Sequence, residues 1–151
     1  MLFRSKWFYI GGAVGSGKTH ICTAICNELL KKRAVTYMPW REEAVKLKTI
    51  VNDISYQVEM DKLKKVDVLY IDDFLKTKSG DQPTGGDINI AFEIINYRYN
   101  NSLTTIISSE RTINEVIKVD EATGSRIFQF AKEYGIDLGK DKAKNMRLMS
   151  R

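Results

Sequence analysis

Gly12 to Thr19 reads GAVGSGKT, a pair of glycines bracketing four residues and followed by Lys and Thr. Glycines at 12, 15 and 17 let successive backbone N–H groups turn inward around an anion. The stretch after them can start a helix, whose N-terminus adds partial positive charge at the same place. This is the spacing of a phosphate-binding loop, with Gly12, Ala13, Val14, Gly15, Ser16, Gly17, Lys18, Thr19 and His20 as its candidate nucleotide contacts. Lys18 would reach the β- and γ-phosphates and Thr19 would hold Mg²⁺. A chance glycine-rich turn is the alternative; an apolar run before the motif and a helical pattern after it argue against that.

A second acidic motif has the position such a loop requires. Val66-Asp67-Val68-Leu69-Tyr70-Ile71 runs into Asp72-Asp73-Phe74. Asp72 would act on Mg²⁺ through water, and Asp73 would orient or deprotonate an attacking water. The same two carboxylates could also do no more than terminate a strand in a turn. Further along, Ser108-Ser109-Glu110-Arg111 follows an apolar run. Ser109 and Glu110 are the candidates for a polar sensor between Asp72 and the γ-phosphate, or else for the cap of the next helix. Arg126, in Gly124-Ser125-Arg126-Ile127, reads either as a surface residue or as an arginine finger offered to a neighbouring subunit.

The elements that must position these residues alternate in period. Apolar runs at Trp7 to Ile10, Val35 to Met38, Val66 to Ile71, Thr104 to Ser108 and Tyr134 to Leu138 read as strands. Helical periodicity falls at Lys18 to Lys32, Arg41 to Asp53, Tyr56 to Lys64, Asp87 to Asn100, Ile113 to Val119 and Glu121 to Lys132. This alternation predicts an α/β fold, a three-layer αβα P-loop NTPase with a parallel five-stranded sheet. Two helices, not one, separate the second and third strands. They form an insertion carrying Arg41, Lys46, Lys48, Lys62, Lys64 and Lys65. The polar segment Lys76 to Gly86 follows the third strand, where it would either border the nucleotide or serve as a surface connection.

Composition narrows the classes. A chain of 151 residues, 43% hydrophobic, suits a single domain. No run approaches the roughly 18 apolar residues of a membrane span, and the residues after Met1 lack a signal-peptide core. A cytoplasmic protein without a membrane partner is expected. Cys22 and Cys26, one helical turn apart beside Ile21 and Ile25, read as reduced thiols on a buried helix face and not as zinc ligands. The net charge of +5 suits either a nucleic-acid partner or a solvated basic face.

Taken together, Ile10 to Leu30, Tyr37 to Lys48, Val66 to Phe74, Phe92 to Asn101, Thr104 to Thr112, Gly124 to Ile127 and the closing Asn145-Met146-Arg147-Leu148 resemble the AAA+ ATPase domain of bacterial and phage helicase loaders of the DnaC/DnaI type. The likeness spans nearly the whole chain. It implies one AAA+ ATPase domain over residues 1–151, lacking the family's N-terminal helicase-gripping domain and a helical lid. It also implies an ATP- and Mg²⁺-dependent hydrolase acting in DNA replication on a replicative hexameric helicase and single-stranded DNA.

Under that resemblance Lys18, Asp72, Asp73 and Arg126 are catalytic, Thr19 and Asp72 serve the metal, and Ser109-Glu110 falls on the sensor. Arg126 acts in trans within a self-assembly, and the insertion contributes to assembly and DNA binding. Two positions depart from the pattern. Glu110 stands where Asn is common, and Asp73 stands where Glu is common, one methylene short of the usual reach to the water. An IstB-like transposition helper ATPase would carry the same motifs with another partner. A nucleotide-switched single-stranded-DNA-binding module with little turnover is the further alternative. A small-molecule kinase fits less well, because no acceptor site follows the third strand.

Overall fold

The structure, a computed structural model, describes residues 7–13, 17–132 and 135–137. Val14, Gly15, Ser16 and the closing Asn145 to Leu148 lie outside the described residues.

Five strands form one parallel sheet: β1 (Phe8–Gly11), β2 (Val35–Pro39), β3 (Val68–Asp72), β4 (Thr105–Ser109) and β5 (Gly135–Asp137), in the order β2-β3-β4-β1-β5. The α/β architecture with five parallel strands is as the periodicity predicts. β3 and β4 are buried at every residue, as strands covered on both faces must be, and so they read as continuous apolar runs. β3 starts two residues later than expected. The Val66 N–H is still bonded to Lys62 O at the end of the preceding helix, and Asp72 joins the strand at its other end.

The helices are α1 (Lys18–Leu29), α2 (Trp40–Thr49), α3 (Ile54–Lys65), α4 (Gly85–Asn100), α5 (Ile113–Val119) and α6 (Glu121–Ala131). Strand alternation divides the core in two. Ile10, Val68, Tyr70 and Ile106 meet α1 through Cys22 and Cys26. Tyr9, Met38, Leu69, Ile71 and Ile107 face α2 through α6 in the larger cluster, which holds Trp7, Trp40 and Phe74. Both cysteines are buried free thiols, and burial pushes them up to about 12 and about 11, so each stays protonated as a small apolar side chain. No helix among the described residues is long and apolar enough to cross a membrane.

Local chemistry sets the helix starts. Thr84 caps α4 in a reciprocal box with Asp87, and Thr112 does the same for α5 with Glu115. Asp120 caps α6. Gly124 in α6 serves packing: a Cβ there would stand 2.6 Å from Ile117 of α5.

The insertion, α2 and α3, is docked on α4 by Lys48–Asp87 at 2.7 Å, Tyr56–Glu93 at 3.2 Å and Lys64–Glu93 at 3.9 Å. Within it Glu59 pairs with Lys46 and Lys62, and Asp61 with Lys65. Its charge is thus largely answered by its own carboxylates and by those of α4. Of the six basic residues singled out there, Arg41 alone has no ion pair among the described residues.

At the amino ends of β3 and β4 Arg98 is fully buried. Its Nε donates to Thr105 Oγ1, and its terminal nitrogens donate to the carbonyls of Leu63, Lys64, Val66, Asp67 and Thr104 at 2.7–3.2 Å. Burial pulls this guanidinium down to about 10, against the opposing charge of Asp67, and it forms no ion pair among the described residues. One planar fork ties the α3–β3 junction to the start of β4.

Candidate nucleotide site

The chemistry-bearing residues converge at the carboxyl ends of β1, β3 and β4, where ligands of open parallel sheets sit. Gly17 takes φ 87° as the N-cap of α1, a left-handed turn that glycine adopts without strain. As the N-cap, Gly17 supplies no side-chain cap to this helix. Lys18 is buried, and its Nζ donates to Gly12 O and Ala13 O, both at 2.8 Å. Burial lowers its proton affinity; the charges of Glu110 and Asp73 oppose that. Thr19 and His20 are exposed on the first turn of α1. Gly12 N–H donates to Ser109 O at 3.1 Å, which joins the loop to β4.

Asp72 gathers four hydroxyl donors. Ser108 Oγ at 2.7 Å, Tyr70 OH at 3.0 Å and Thr19 Oγ1 at 3.3 Å reach Oδ1, and Tyr37 OH reaches Oδ2 at 2.9 Å. Burial raises its pKa, but the bonds from Ser108, Tyr37, Tyr70 and Thr19 outweigh that and hold it below the usual carboxylate range. Asp72 is therefore an anion beside the hydroxyl of Thr19. A hydroxyl and a carboxylate, both hard oxygen donors, are the set Mg²⁺ takes, with the remaining positions left to water and phosphate.

Asp73 stands in a different environment. Its backbone is left-handed, φ 56°, and its N–H donates to Ser108 Oγ at 3.1 Å. Burial first, and then the charge of Asp72, raise its pKa. Lys76 Nζ lies 3.9 Å from Asp73 Oδ2 and 3.3 Å from Glu110 Oε2. The turn reading holds here, since Lys76 N–H bonds Asp73 O in a tight turn.

Two of the expected site residues are placed elsewhere. Ser109 is buried, its Oγ donating to Phe74 O at 2.9 Å and accepting from Arg111 N–H, so it braces the segment after β3. It does not cap α5, which Thr112 does. Ser108 is the residue that touches Asp72. Ile71 pairs with Ile107 in the ladder, so the next residues on the two strands, Asp72 and Ser108, project to the same face. Counting alternation from that register would have found it.

Arg126 lies on α6, over the rings of Phe92 and Tyr99 at 5.4 and 5.6 Å. One terminal nitrogen donates to Ala122 O, and the buried Nε has no hydrogen-bond partner among the described residues. None of these contacts involves the chain's own Lys18, Asp72 or Asp73. Tyr37, Tyr70 and Lys76 escaped the sequence reading because their role depends on strand pairing and on a turn.

Residues 4–131 match the bacterial DnaA ATPase domain. The chain belongs to that family. Among curated relatives of this DnaA-type domain, the uncharacterized protein YqaM of Bacillus subtilis (strain 168) is 41% identical over 135 residues, 87% of this chain and 42% of the relative. The phage-like element PBSX protein XkdC of the same organism is 38% identical over 127 residues, 82% of this chain and 47% of the relative. The chain thus spans less than half the length of these relatives.

A solved replication initiator DnaA bound to AMPPCP and single-stranded DNA superposes with a TM-score of 0.70 at 25% identity, covering 89% of this chain and 40% of that one. The DnaC helicase loader shares the fold, with a TM-score of 0.71 at 19% identity over 91% of this chain and 80% of that one. The resemblance to AAA+ domains of replication proteins stands, and the DnaA-type ATPase domain here is a P-loop NTPase fold of the replication-initiation group.

Proposed function

We propose that this chain binds ATP with Mg²⁺ at the loop Gly12 to Thr19 and hydrolyses it, as an AAA+ module that handles single-stranded DNA and a replicative helicase at the start of replication. The observation that carries the reading is the meeting of Lys18, Thr19 and Asp72 at the ends of β1 and β3: a cation for phosphate, and a hydroxyl with an anionic carboxylate for the metal. Bound Mg²⁺ would supply charge to the phosphates. Thr19 and Asp72 are the residues that would hold it, and Asp73 would align the attacking water.

Arg126 serves a neighbouring copy in this reading. Its guanidinium lies over Phe92 and Tyr99 of α4, and none of its printed contacts is to Lys18, Asp72 or Asp73. Single-stranded DNA engages the side of the insertion facing the segment after β3. There a cleft of about 260 Å³ is lined by Arg41, Lys48, Lys76 and Lys78, with Asp81 and the Lys48-paired Asp87 as its two carboxylates. Arg41 and Lys78 have no ion pair among the described residues, unlike most lysines of the insertion faces.

Direct binding of a fluorescent ATP analogue tests the reading. Lys18→Ala is expected to weaken it by about tenfold or more, the scale of a lost charge-assisted contact to phosphate. Binding that survives Lys18→Ala undiminished sinks it. A nucleotide-switched DNA-binding module with little turnover is the second reading. It is favoured by the Lys76 ammonium beside Asp73 and Glu110, which competes for the carboxylate that would act on water.

A further inference from the structure

The four hydroxyls on Asp72 are divided unevenly between its two oxygens. Oδ1 accepts from Ser108 at 2.7 Å, from Tyr70 at 3.0 Å and, more distantly, from Thr19 at 3.3 Å. Oδ2 accepts from Tyr37 alone among the described residues. The division follows from the sheet. Tyr70 stands two residues before Asp72 on the same face of β3, Ser108 follows the Ile71–Ile107 pair on β4, and Tyr37 pairs with Tyr70 across β2 and β3. Ser108 and Tyr70 are buried and Tyr37 is exposed, so Oδ1 is held from the core and Oδ2 from the edge of the sheet.

An ionised carboxylate has about four lone-pair positions, about two on each oxygen. Ser108 and Tyr70 therefore fill Oδ1, and Thr19 is a third donor on an oxygen already taken. Oδ2 keeps one position beside Tyr37. This count bears on which cation the site accepts. Ca²⁺ can take both oxygens of one carboxylate, whereas Mg²⁺ dehydrates reluctantly, keeps several waters and needs no two-oxygen grip.

We propose that Tyr70 and Ser108 are positioning residues that set the metal specificity of the nucleotide site: by closing Oδ1 they leave Asp72 a single acceptor position, on Oδ2, which suits hydrated Mg²⁺ and denies Ca²⁺ a bidentate carboxylate. The proposal rests on the ATP-binding reading and adds the cation that the site selects. Tyr37, on the other oxygen, helps to hold Asp72 and has no part in the choice.

The test is direct binding of the fluorescent ATP analogue to the whole chain, once with Mg²⁺ and once with Ca²⁺, so no turnover is needed. The wild type is expected to bind about fivefold or more tightly with Mg²⁺, the scale of one hydrogen-bonding position on a carboxylate. Tyr70→Phe keeps the ring and opens one position on Oδ1. It is expected to lower the ratio of the Ca²⁺ to the Mg²⁺ dissociation constant by about fivefold. Ser108→Ala opens the same oxygen and should do the same, which decides the matter even if the buried change at Tyr70 prevents folding. Tyr37→Phe opens Oδ2 only and should leave the ratio within about twofold of the wild type.

Each variant deletes one hydroxyl from the same carboxylate, so a role confined to packing or to charge balance would move all three alike. Three results overturn the proposal: no preference for Mg²⁺ in the wild type, an unchanged ratio in the variants that open Oδ1, or an equal shift in Tyr37→Phe. Binding that is insensitive to Lys18→Ala with either metal would instead remove the underlying reading, and that variant is measured first.

Discussion

Asp72 and Arg98 are both buried charges at the two ends of β3, and neither forms an ion pair among the described residues. Asp72, at the carboxyl end of β3, is held by four hydroxyls. Arg98, at the amino end of the same strand, is held by five backbone carbonyls and one hydroxyl. Hydroxyls rotate and can exchange one partner for another; carbonyls of fixed backbone cannot. One end of β3 is therefore built to be re-coordinated, and the other is sealed. A buried charge satisfied by movable donors reads as a site, and one satisfied by the chain's own backbone reads as a fastener.

The largest expected effect follows from the sealed end. Arg98→Ala removes the donors of five carbonyls at once and should lower unfolding free energy in urea by about 3–5 kcal/mol, the scale of breaking a buried charged network. Asp72→Asn should cost roughly 1 kcal/mol, because the hydroxyls re-pair with the amide oxygen. Equal losses for the two variants would break the distinction.

Acid titration sharpens it. Asp72 has a folded-state pKa below its ordinary value of 3.8. It contributes stability that is present above about pH 4 and is lost as pH falls through the lower folded value. The stability gap between wild type and Asp72→Asn should accordingly be full at neutral pH and shrink below about pH 4 in thermal melts across that range. A gap that stays constant to the lowest pH would place the stabilisation in packing and not in charge.

The smallest effect has the opposite sign. Asp73 has its pKa raised by burial and by Asp72, and sits at φ 56°. Asn tolerates that backbone region and carries no charge. Asp73→Asn should raise Tm by about 2 °C while abolishing hydrolysis, the usual exchange between stability and a strained functional position. A lower Tm by differential scanning fluorimetry would mean that Asp73 is there for stability.

The sheet and its helices were largely legible in the sequence because period 2 and period 3.6 are local properties. Ile113 to Val119 begins and ends as the pattern predicts, and β1, β2 and β4 differ from it by a residue. Lys18, Thr19 and Asp72 were legible for a related reason: a glycine-rich loop and an acidic strand end state their chemistry in contiguous residues. Ser108 was missed in favour of Ser109, since which of two adjacent serines faces Asp72 depends on the β3–β4 register. Lys76 was read only as part of a polar loop, and Arg98 carried no signal, because Arg on a helix is ordinarily solvated. Burial and cross-strand pairing are tertiary facts that no window of sequence contains.

Helix α4 is pinned at both extremities. At its start Asp87 is bound to Thr84 and to Lys48 of the insertion, and at its end Arg98 grips the α3–β3 junction and β4. Between the pins its surface carries Phe92 and, just past the second pin, Tyr99, the two rings beneath Arg126. Mechanically this is a beam with fixed supports and a platform between them. The helix that the insertion holds through Lys48 is thus the same helix whose rings lie beneath Arg126.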